Sequence, residues 1–402
     1  MRVIADLHVH SKYALATSKD MDLEHLVAGA KLKGVNLLAS GDFTHPRWQS
    51  ELRAKLKPGP GEGLYSYGGV YWVLGTEVST VYQQEGRTRK VHHLVFAPDL
   101  DIVSQITDSL SQCGKMASDG RPVLKGLSSP ELVERLTAIS GDVVVIPAHA
   151  WTPWFGVFGS RSGFDSLDEC YGDMARRIFA IETGLSSDPP MNWRLSSLDS
   201  VSLISNSDAH SANPWRLGRE ANVFEFGRFD YSELFATVRG RDPAKFLFTI
   251  EVDPAYGKYH YSGHSKCKVS LPPEAVAREN GRCPVCGKPL TIGVLQRVEE
   301  LADRPEGYAP PGAVPFKHLL PLAELISAAT GAGRPNTKRV LEMTRRLVEA
   351  FGNEFEVLLD APRGEIERVA GAKAADAVIA AREGTIEVTP GYDGVYGVPR
   401  LP

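Results

Sequence analysis

The stretch RVIADLHVH, residues 2–10, places a short apolar run directly before two histidines that a single valine separates. A continuous apolar run is typical of a strand that is covered on both faces in a parallel sheet or barrel. Side chains two residues apart in an extended segment point to the same side. The sequence therefore predicts that His8 and His10 project together from the end of the first strand.

Six further apolar runs follow within the first 250 residues: VNLLASGD, VYWVLGTEVS, VHHLVFAP, VVVIPAHA, RIFAIETG and VSLISNSDAH. Helical patterns lie between several of them. DLEHLVAGAKLKG closes on Gly34, and SSPELVERLTAIS begins with Ser129 as the N-cap before Pro130. Strands that alternate with helices predict an α/β barrel.

All seven predicted strands end in residue types that ligate metals. These residues are Asp6, His8, His10, Asp42, His45, Glu77, His92, His93, His149, Glu182, Asp208 and His210. Strand ends of an α/β barrel converge on one face, and imidazole with carboxylate is the ligand set of a Zn, Mn or Fe hydrolytic centre. A lone histidine is usually a surface or hydrogen-bonded residue, so the recurrence across seven strands is what predicts a polynuclear site. Adjacent His92 and His93 must face opposite ways, so at most one should be a ligand.

The overall composition limits the function classes. The chain has 402 residues, 43% of them apolar, and a formal net charge of −4, which predicts two or three domains and no global basic field. No leader pattern and no run near 18 apolar residues occurs, so we expect a soluble, cytoplasmic protein. Three of the five cysteines are clustered, which favours a metal site in a reducing compartment over a disulfide framework.

Residues 251–300 differ from the first 250 and are rich in Gly, Pro, Lys and Cys. This composition predicts a small module that needs a cross-link such as a bound metal ion in order to fold. Four residues have the spacing of a structural Cys3His zinc site: His264, Cys267, Cys283 and Cys286. His260 is an alternative fourth ligand. A redox CxxC motif is the competing interpretation, although it would need neither Cys267 nor His264.

Residues 301–402 predict a C-terminal helical domain, with helical pattern from Leu319 to Arg382. The segment RVAGAK joins two helical stretches and resembles a helix-hairpin-helix element, which presents backbone N–H groups and a basic side chain to a phosphate. Gly371 and Lys373 would be the contacts. An ordinary helical turn containing glycine is the alternative.

An aromatic loop, AHAWTPWFGVFGSRSGFDS, follows the fifth predicted strand. Trp151, Trp154, Phe155 and Phe158 are either local core or a platform on which unpaired bases stack. Arg161 would suit a phosphate.

The first 250 residues resemble the PHP (polymerase and histidinol phosphatase) superfamily of metal-dependent phosphoesterases. The resemblance is carried by six motifs, in this order: DLHVH, SGDFTH, GTEVS, HHLVF, PAHA and SDAH. The resemblance implies a distorted (βα)7 barrel that holds two or three ions. It implies three ligand groups: His8, His10, Glu77 and Asp208 for one ion; Glu77, His93 and His149 for a second; and, for a third, His210 with partners from the first and second strands, of which Asp42 and His45 are the second-strand candidates. His93 is preferred over His92 because HLVF matches the family pattern. The sequence departs from that pattern at Ala16 and Phe43.

Longer words extend the resemblance over nearly the whole chain: HAWTPWFGVFGSRSGFDSLDE, SDAHSANPWRLGREANVF, CPVCGKPLTIGVLQRVEELADRP and PGYDGVYG. Together they resemble the endonuclease Q family of DNA-repair endonucleases. The resemblance implies a metal-dependent endodeoxyribonuclease that hydrolyses the phosphodiester 5′ of deoxyuridine, deoxyinosine, deoxyxanthosine or an abasic site. It leaves 3′-hydroxyl and 5′-phosphate ends after the damaged base is flipped out of the stack.

This interpretation assigns roles and partners. Glu77 would bridge two ions, Asp208 would orient the attacking water, and His210 would relay a proton. The expected cofactors are a structural Zn²⁺ and Zn²⁺ in the active site, with Mg²⁺ or Mn²⁺ as alternatives for catalysis. The expected partner is damaged DNA in the cytoplasm, at the nucleoid, and no membrane; a DNA sliding clamp or another repair protein is left open as a further partner. A small-molecule PHP phosphatase of the histidinol-phosphate type and a non-catalytic DNA-binding accessory protein are the alternatives.

Overall fold

The structure is a computed structural model that describes residues 1–402. The strands of the first 251 residues are β1 (Arg2–Asp6), β2 (Leu37–Ala39), β3 (Lys57–Pro58), β4 (Leu64–Tyr67), β5 (Val70–Gln84), β6 (Arg87–Ala97), β7 (Val123–Lys125), β8 (Val144–Pro147), β9 (Ala180–Glu182), β10 (Ser202–Ile204), β11 (Ala221–Glu225) and β12 (Phe246–Glu251). The helices between them are α1 (Leu23–Lys33), α2 (Pro46–Lys55), α3 (Leu100–Ser111), α4 (Ser129–Ile139), α5 (Leu167–Tyr171), α6 (Pro189–Trp193) and α7 (Tyr231–Gly240).

The rest of the chain contains shorter strands and a group of helices. The strands are β13 (Ser262–His264), β14 (Val269–Leu271), β15 (Phe316–His318), β16 (Glu387–Thr389) and β17 (Val398–Arg400). The helices are α8 (Pro273–Arg278), α9 (Val294–Leu301), α10 (Leu322–Thr330), α11 (Lys338–Phe351), α12 (Arg363–Ala370) and α13 (Ala372–Glu383). The predicted helical pattern from Leu319 to Arg382 thus corresponds to four helices.

The seven predicted apolar runs all contain strands, namely β1, β2, β5, β6, β8, β9 and β10. In that order they form the wall of a barrel, and the predicted α/β architecture is confirmed. No helix separates the third and fourth of these strands. β5 and β6 form an antiparallel hairpin that turns at Glu85 and Gly86. Both turn residues have positive φ, 51° and 74°, as a two-residue hairpin turn requires.

The barrel is distorted where its first and last strands meet. β1 pairs with β11 through residues 2–5, and this antiparallel partner occupies the edge that a regular barrel would give to its last strand. Immediately afterwards the chain changes partner, because Val9 forms a parallel bridge with Ala209 and His10 N–H donates to the Ala209 carbonyl at 3.1 Å. The His8–His10 segment therefore lies directly beside the Asp208–His210 segment.

A hydrophobic cluster of 72 buried residues runs from the barrel into the C-terminal helices. It contains residues of α1 such as Leu26, together with Leu347 of α11 and Val378 of α13. Within this contact lies an ion pair in which Lys33 Nζ donates to Glu354 at 2.6 Å, and both side chains are 1% exposed. Lys33 also donates to the Pro214 carbonyl at 3.0 Å, which ties the loop after β10 to the C-terminal helices.

The region from 251 to 300 has its own small core of Val269, Val276, Cys283 and Leu290. The C-terminal hairpin of β16 and β17 packs on this region, an arrangement that the sequence did not predict. Asp393 accepts hydrogen bonds from Ser265 N and Oγ at 2.6 and 2.8 Å. The divisions at residues 250 and 300 stay predictions, because the hydrophobic contacts continue across the chain.

Local signals for helix ends agree with the structure except at one position. α1 is capped by the Asp22 side chain and ends at Gly34, whose φ is 95°. The N-cap of α4 is Ser128 rather than the predicted Ser129, and Glu131 completes a capping box with it. None of the helices has both the length and the apolar character required to cross a bilayer.

Removal of one partner of the Lys33–Glu354 pair should be strongly destabilising, because the other charge stays buried without compensation. We expect Lys33→Met to lower the free energy of unfolding by about 3–5 kcal/mol, and Lys33→Met with Glu354→Gln to recover most of this loss. Urea unfolding measures both. Lys31→Met, on the exposed face of the same helix, is the control and should change stability by less than about 0.5 kcal/mol. Equal stability of Lys33→Met and Lys31→Met would contradict this account of the contact.

Candidate metal centre

Four predicted ligands meet at the mouth of the barrel. His8, His10, Glu77 and Asp208 present ligand atoms that all lie within 4.8 Å of one another. The His10 Nε2 atom is 3.3 Å from Glu77 Oε2 and 3.1 Å from Asp208 Oδ1. His8 Nε2 is buried and has no hydrogen-bond partner. An orphaned imidazole nitrogen that faces two carboxylates fits a site for a divalent cation.

A second group shares Glu77 with the first. Glu77 Oε1 lies 2.6 Å from His92 Nδ1 and 3.1 Å from His149 Nε2. Glu77 Oε2 faces His8 and His10, so its two carboxylate oxygens face different groups. This geometry suits a carboxylate that bridges two ions.

The preference for His93 over His92 is wrong, and the register of the β5–β6 hairpin is the reason. His92 lies opposite Ser79 and therefore shares a face of the sheet with Glu77, two residues earlier. His93 lies opposite Val78 on the other face. There its ring nitrogens are 3.1 Å from Thr80 Oγ1 and 3.0 Å from the Tyr171 hydroxyl, and burial lowers the pKa of His93 to about 3.

Buried carboxylates fix the orientation of the first two histidines. His8 Nδ1 donates to Glu182 at 3.0 Å, and His10 Nδ1 donates to Asp42 at 3.0 Å. Both rings thereby direct Nε2 into the centre, which is the usual arrangement behind metal-ligating histidines. The structure contradicts the prediction of Asp42 as a direct ligand, since its oxygens accept from His10 Nδ1 and from Ser11 N–H.

The backbone adopts strained conformations at three residues of the site. Asp42, His149 and Asp208 have φ values of 45°, 31° and 47°, in the left-handed region that residues other than glycine rarely adopt. Such strain persists only where the surrounding structure enforces it, and it is concentrated at functional sites.

Two predicted ligands lie outside both groups. The prediction of His45 as a ligand is not supported, because its ring stacks on Tyr13 with a centroid distance of 4.3 Å. The His210 ring is 4.6 Å from that of His10, and its Nδ1 donates to the Asp208 carbonyl at 2.9 Å. Burial lowers the pKa of this histidine below its ordinary value. The structure thus brings together two ligand groups and not three.

The charges of the centre are strongly coupled. Although burial opposes ionisation, His92 and Arg121 hold the pKa of Glu77 well below its usual range. Burial likewise opposes protonation of His8 and His10, yet nearby carboxylates, chiefly Glu182 and Asp42, raise the pKa of both histidines well above the ordinary value. The centre is therefore built to hold positive charge.

The Cys3His group forms a separate cluster, distinct from the two ligand groups at the barrel mouth. His264, Cys267, Cys283 and Cys286 present ligand atoms within 4.8 Å of one another, and Cys286 Sγ is 3.4 Å from His264 Nδ1. Burial opposes ionisation of Cys283, but backbone N–H groups of Cys286 and Val285 lower the pKa of this thiol to about 7. The alternative ligand His260 is not part of the cluster. Four protein ligands without an open position suit a structural Zn²⁺ ion.

A cleft of about 500 Å³ opens beside the metal centre. His149, Asp208 and His210 form its metal side, and Trp154, Tyr259 and Tyr396 contribute aromatic rings. Arg216, Arg219 and Lys258 add positive charge to the lining. Cleft residues thus come from the barrel, from the 251–300 region and from the C-terminal hairpin.

Of the aromatic residues predicted to stack on bases, one is available. Trp154 is 42% exposed and has its ring 5.7 Å from that of Tyr259. Arg161 is exposed, with its guanidinium 6.0 Å from the Trp154 ring. Phe155 packs on His92 with a ring distance of 4.3 Å.

The structure contradicts the predicted DNA contacts of Trp151 and Phe158. Trp151 is 1% exposed and Phe158 is fully buried, and their rings pack 4.8 Å apart. Trp151 Nε1 donates to Asn192 Oδ1 at 2.8 Å, which completes its burial. These two residues belong to the core alternative that the sequence left open.

The predicted phosphate contacts of the helical region lie on the surface. Gly371, with φ of 86°, is the single residue between α12 and α13, and Lys373 follows in the first turn of α13. Both residues are exposed, and their contact with DNA remains a prediction.

Sequence reasoning did not assign a site role to Arg121 or Tyr396. Arg121 lies in a loop with Nη1 3.2 Å from Glu77 Oε2, and no spacing in the sequence indicates that approach. Tyr396 reaches the cleft only through the packing of the C-terminal hairpin.

Loss of one cysteine ligand should release the structural ion and unfold the small core around it, since ion binding supplies the folding free energy of such modules. We expect Cys286→Ser to lose one bound Zn²⁺ per chain and hydrogen-exchange protection over residues 262–292. Elemental analysis and exchange mass spectrometry measure the two effects. Cys113→Ser, outside the cluster, is the control and should retain both. Full zinc content in Cys286→Ser would exclude the structural role.

Ion binding to the open centre should release protons and become tighter as pH rises, because His8 and His10 are protonated in the ion-free protein near neutral pH. In that form they stabilise the fold fully below about pH 6.5, and this stabilisation is lost as pH rises through their raised pKa values. Titration calorimetry with Mn²⁺ in two buffers of different ionisation enthalpy counts the released protons. His93→Gln should release as many protons as the wild type, whereas His10→Gln should release fewer. Equal release from all three proteins would refute this assignment.

A family profile described as the MJ0043 C-terminal domain matches residues 321–385. The chain is 35% identical to MJ0043 of Methanocaldococcus jannaschii over 254 residues, which cover 62% of this chain and 31% of that protein. The chain thus spans about a third of the length of that relative. It is 30% identical to YqxK of Bacillus subtilis over 415 residues, with 98% of both chains covered.

Two solved structures resemble the whole chain. One is the lesion-specific endonuclease PfuEndoQ from Pyrococcus furiosus, with a TM-score of 0.89, 35% identity, and coverage of 100% of this chain and 96% of that one. The other is Endonuclease Q in complex with a 27-mer duplex substrate with an abasic lesion at the active site, with a TM-score of 0.89, 35% identity, and coverage of 100% and 97%. With full-length similarity in both sequence and fold, the chain belongs to the endonuclease Q family of PHP-superfamily endonucleases.

Proposed function

We propose that this protein cuts DNA on the 5′ side of deaminated bases and abasic sites and leaves 3′-hydroxyl and 5′-phosphate ends. The observation that carries this proposal is the opening of two ligand groups, joined by Glu77, into a cleft of about 500 Å³ with aromatic and cationic walls. Clefts of this size are suited to a small organic group such as a flipped nucleotide. The abasic duplex bound by the related Endonuclease Q supports the same substrate class.

The ligand types of the centre suit Zn²⁺, with Mn²⁺ or Mg²⁺ as alternatives. Divalent ions held there would lower the pKa of a water molecule and stabilise negative charge on the phosphate oxygens. Glu77 and Asp208 would hold the site, and Asp208 would orient the water for attack in line with the departing 3′ oxygen. The phosphorus–O3′ bond breaks as the bond from water to phosphorus forms. His210 Nε2 would move the proton that water loses.

The cleft would receive the damaged nucleotide after it leaves the stack. A deaminated base forms a weak or mismatched pair, and an abasic site has no base to unpair, so flipping costs least at these lesions. The exposed Trp154 ring and its neighbour Tyr259 offer faces for stacking, and Arg161 beside them offers a phosphate contact. We further propose that Gly371 and Lys373 hold the duplex at a distance from the cut.

A nicking assay tests the proposal against its alternatives. The protein is incubated with Zn²⁺, Mn²⁺ or Mg²⁺ and with labelled duplexes that carry one deoxyuridine, deoxyinosine, deoxyxanthosine or abasic site, and with an undamaged duplex as control. We expect a single nick 5′ of the lesion that DNA ligase can reseal. Phosphate release from histidinol phosphate without nicking would favour the small-molecule phosphatase. Retarded migration without cutting would favour the accessory DNA-binding protein.

Asp208→Asn should separate cutting from binding, because it removes a ligand charge next to His8 and His10 without changing the shape of the cleft. We expect nicking of the abasic duplex to fall by at least about 10²-fold, with affinity for the uncut duplex close to that of the wild type. Asp168→Asn, an exposed residue in α5, is the matched control and should cut normally. Normal cutting by Asp208→Asn would show that the metal assignment is wrong.

A further inference from the structure

One cation of the chain itself enters the metal centre. Arg121 Nη1 lies 3.2 Å from Glu77 Oε2, the oxygen that faces His8 and His10. The Arg121 side chain is 27% exposed, and this is its only hydrogen bond to the protein. Its remaining N–H groups are thus free to bind a ligand at the mouth of the centre.

The loop that carries Arg121 is held on both sides. Gly120 N–H donates to the Tyr13 carbonyl at 3.0 Å, and the Pro122 carbonyl accepts from Ser79 N–H at 3.0 Å. A Cβ atom at Gly120 would lie 2.4 Å from Asp42 Oδ2, so the close approach of this loop requires glycine. The backbone therefore fixes where the Arg121 side chain begins, and the contact with Glu77 directs its guanidinium into the centre.

Arg121 approaches a centre in which only two ligand groups are assembled. The open centre contains two groups of ligands, each suited to one ion. Asp42 and His45, which would contribute to a third group, contact His10 and Tyr13 instead. A guanidinium is permanently charged and presents a planar fork of donors that matches a phosphate. It can supply at one side of the phosphate the positive charge that a further ion would supply.

We propose that Arg121 is a catalytic residue that binds a non-bridging oxygen of the scissile phosphate, and that the open centre accordingly takes two ions. This inference rests on the proposed function for the identity of the phosphate. As the bond to the 3′ oxygen breaks, charge increases on the phosphate oxygens, and a fixed donor aimed at them lowers the barrier. The bond from water to phosphorus forms and the phosphorus–O3′ bond breaks as in the proposed hydrolysis.

The test combines ion counting with kinetics on the full chain. Wild type loaded with Zn²⁺ and freed of excess metal should retain three ions, two in the open centre and one in the Cys3His cluster. Arg121→Ala should retain the same number, bind the uncut abasic duplex, and cut it roughly 10²- to 10³-fold more slowly. Added guanidinium chloride at millimolar concentration should restore part of that rate, and Arg121→Lys should cut at an intermediate rate. Arg135→Ala, whose side chain contacts Ser109 and Cys113, is the control and should resemble the wild type.

Three results would overturn the inference. A fourth ion in the wild type would show that the centre takes three ions without help from Arg121. Cutting by Arg121→Ala at the wild-type rate would exclude a catalytic role. Loss of an ion in this variant, without rescue by guanidinium, would make Arg121 a structural support of Glu77. A wild type that cuts no damaged duplex contradicts the proposed function instead, and the ion count then decides the two-ion claim alone.

Discussion

The centre depends on one buried carboxylate, that of Glu77, whose two oxygens face two different sets of imidazoles. A fully buried carboxylate without compensation would be very costly, so its surroundings must carry positive charge. In the ion-free chain, His8, His10 and Arg121 provide that charge. The same arrangement explains why the site would favour cations, because bound ions would replace protons on the histidines and leave the carboxylates paired.

Rigidity around this carboxylate comes from the sheet and from a layer of acidic residues behind the ligands. The β5–β6 hairpin places Glu77 and His92 on one face through its register, and a slip of one residue would turn both away. Glu182 and Asp42 orient His8 and His10 from behind. Strained φ values at three site residues are compatible with this picture, since a packed barrel can hold conformations that an isolated loop would relax.

The sequence was sufficient for features that depend on local pattern. Apolar runs located all seven barrel strands, the spacing of His8 and His10 predicted a shared direction, and the cysteine spacing predicted the Cys3His cluster. It failed where long-range contacts decide. His92 and His93 are equivalent in periodicity, and only the pairing with β5 distinguishes them. Trp151 and Trp154 are three residues apart in one loop, yet they differ in exposure. Trp151 is buried and donates to Asn192, whereas Trp154 stays exposed. Arg121 had no recognisable motif because its approach to Glu77 depends on the contacts of its loop with Tyr13 and Ser79.

Two segments that follow the barrel in the chain contribute side chains to the cleft. The 251–300 region contributes Lys258 and Tyr259, and the C-terminal hairpin contributes Tyr396. The hairpin is bound to that region through Asp393 and Ser265, a few residues from the Cys3His cluster. A bound structural ion would therefore hold the aromatic wall of the cleft in place although it lies outside the reacting centre. The proposed discrimination between damaged and normal nucleotides would need such a wall, because the chemistry at phosphorus is the same for every phosphodiester and selectivity must come from groups that contact the flipped nucleotide.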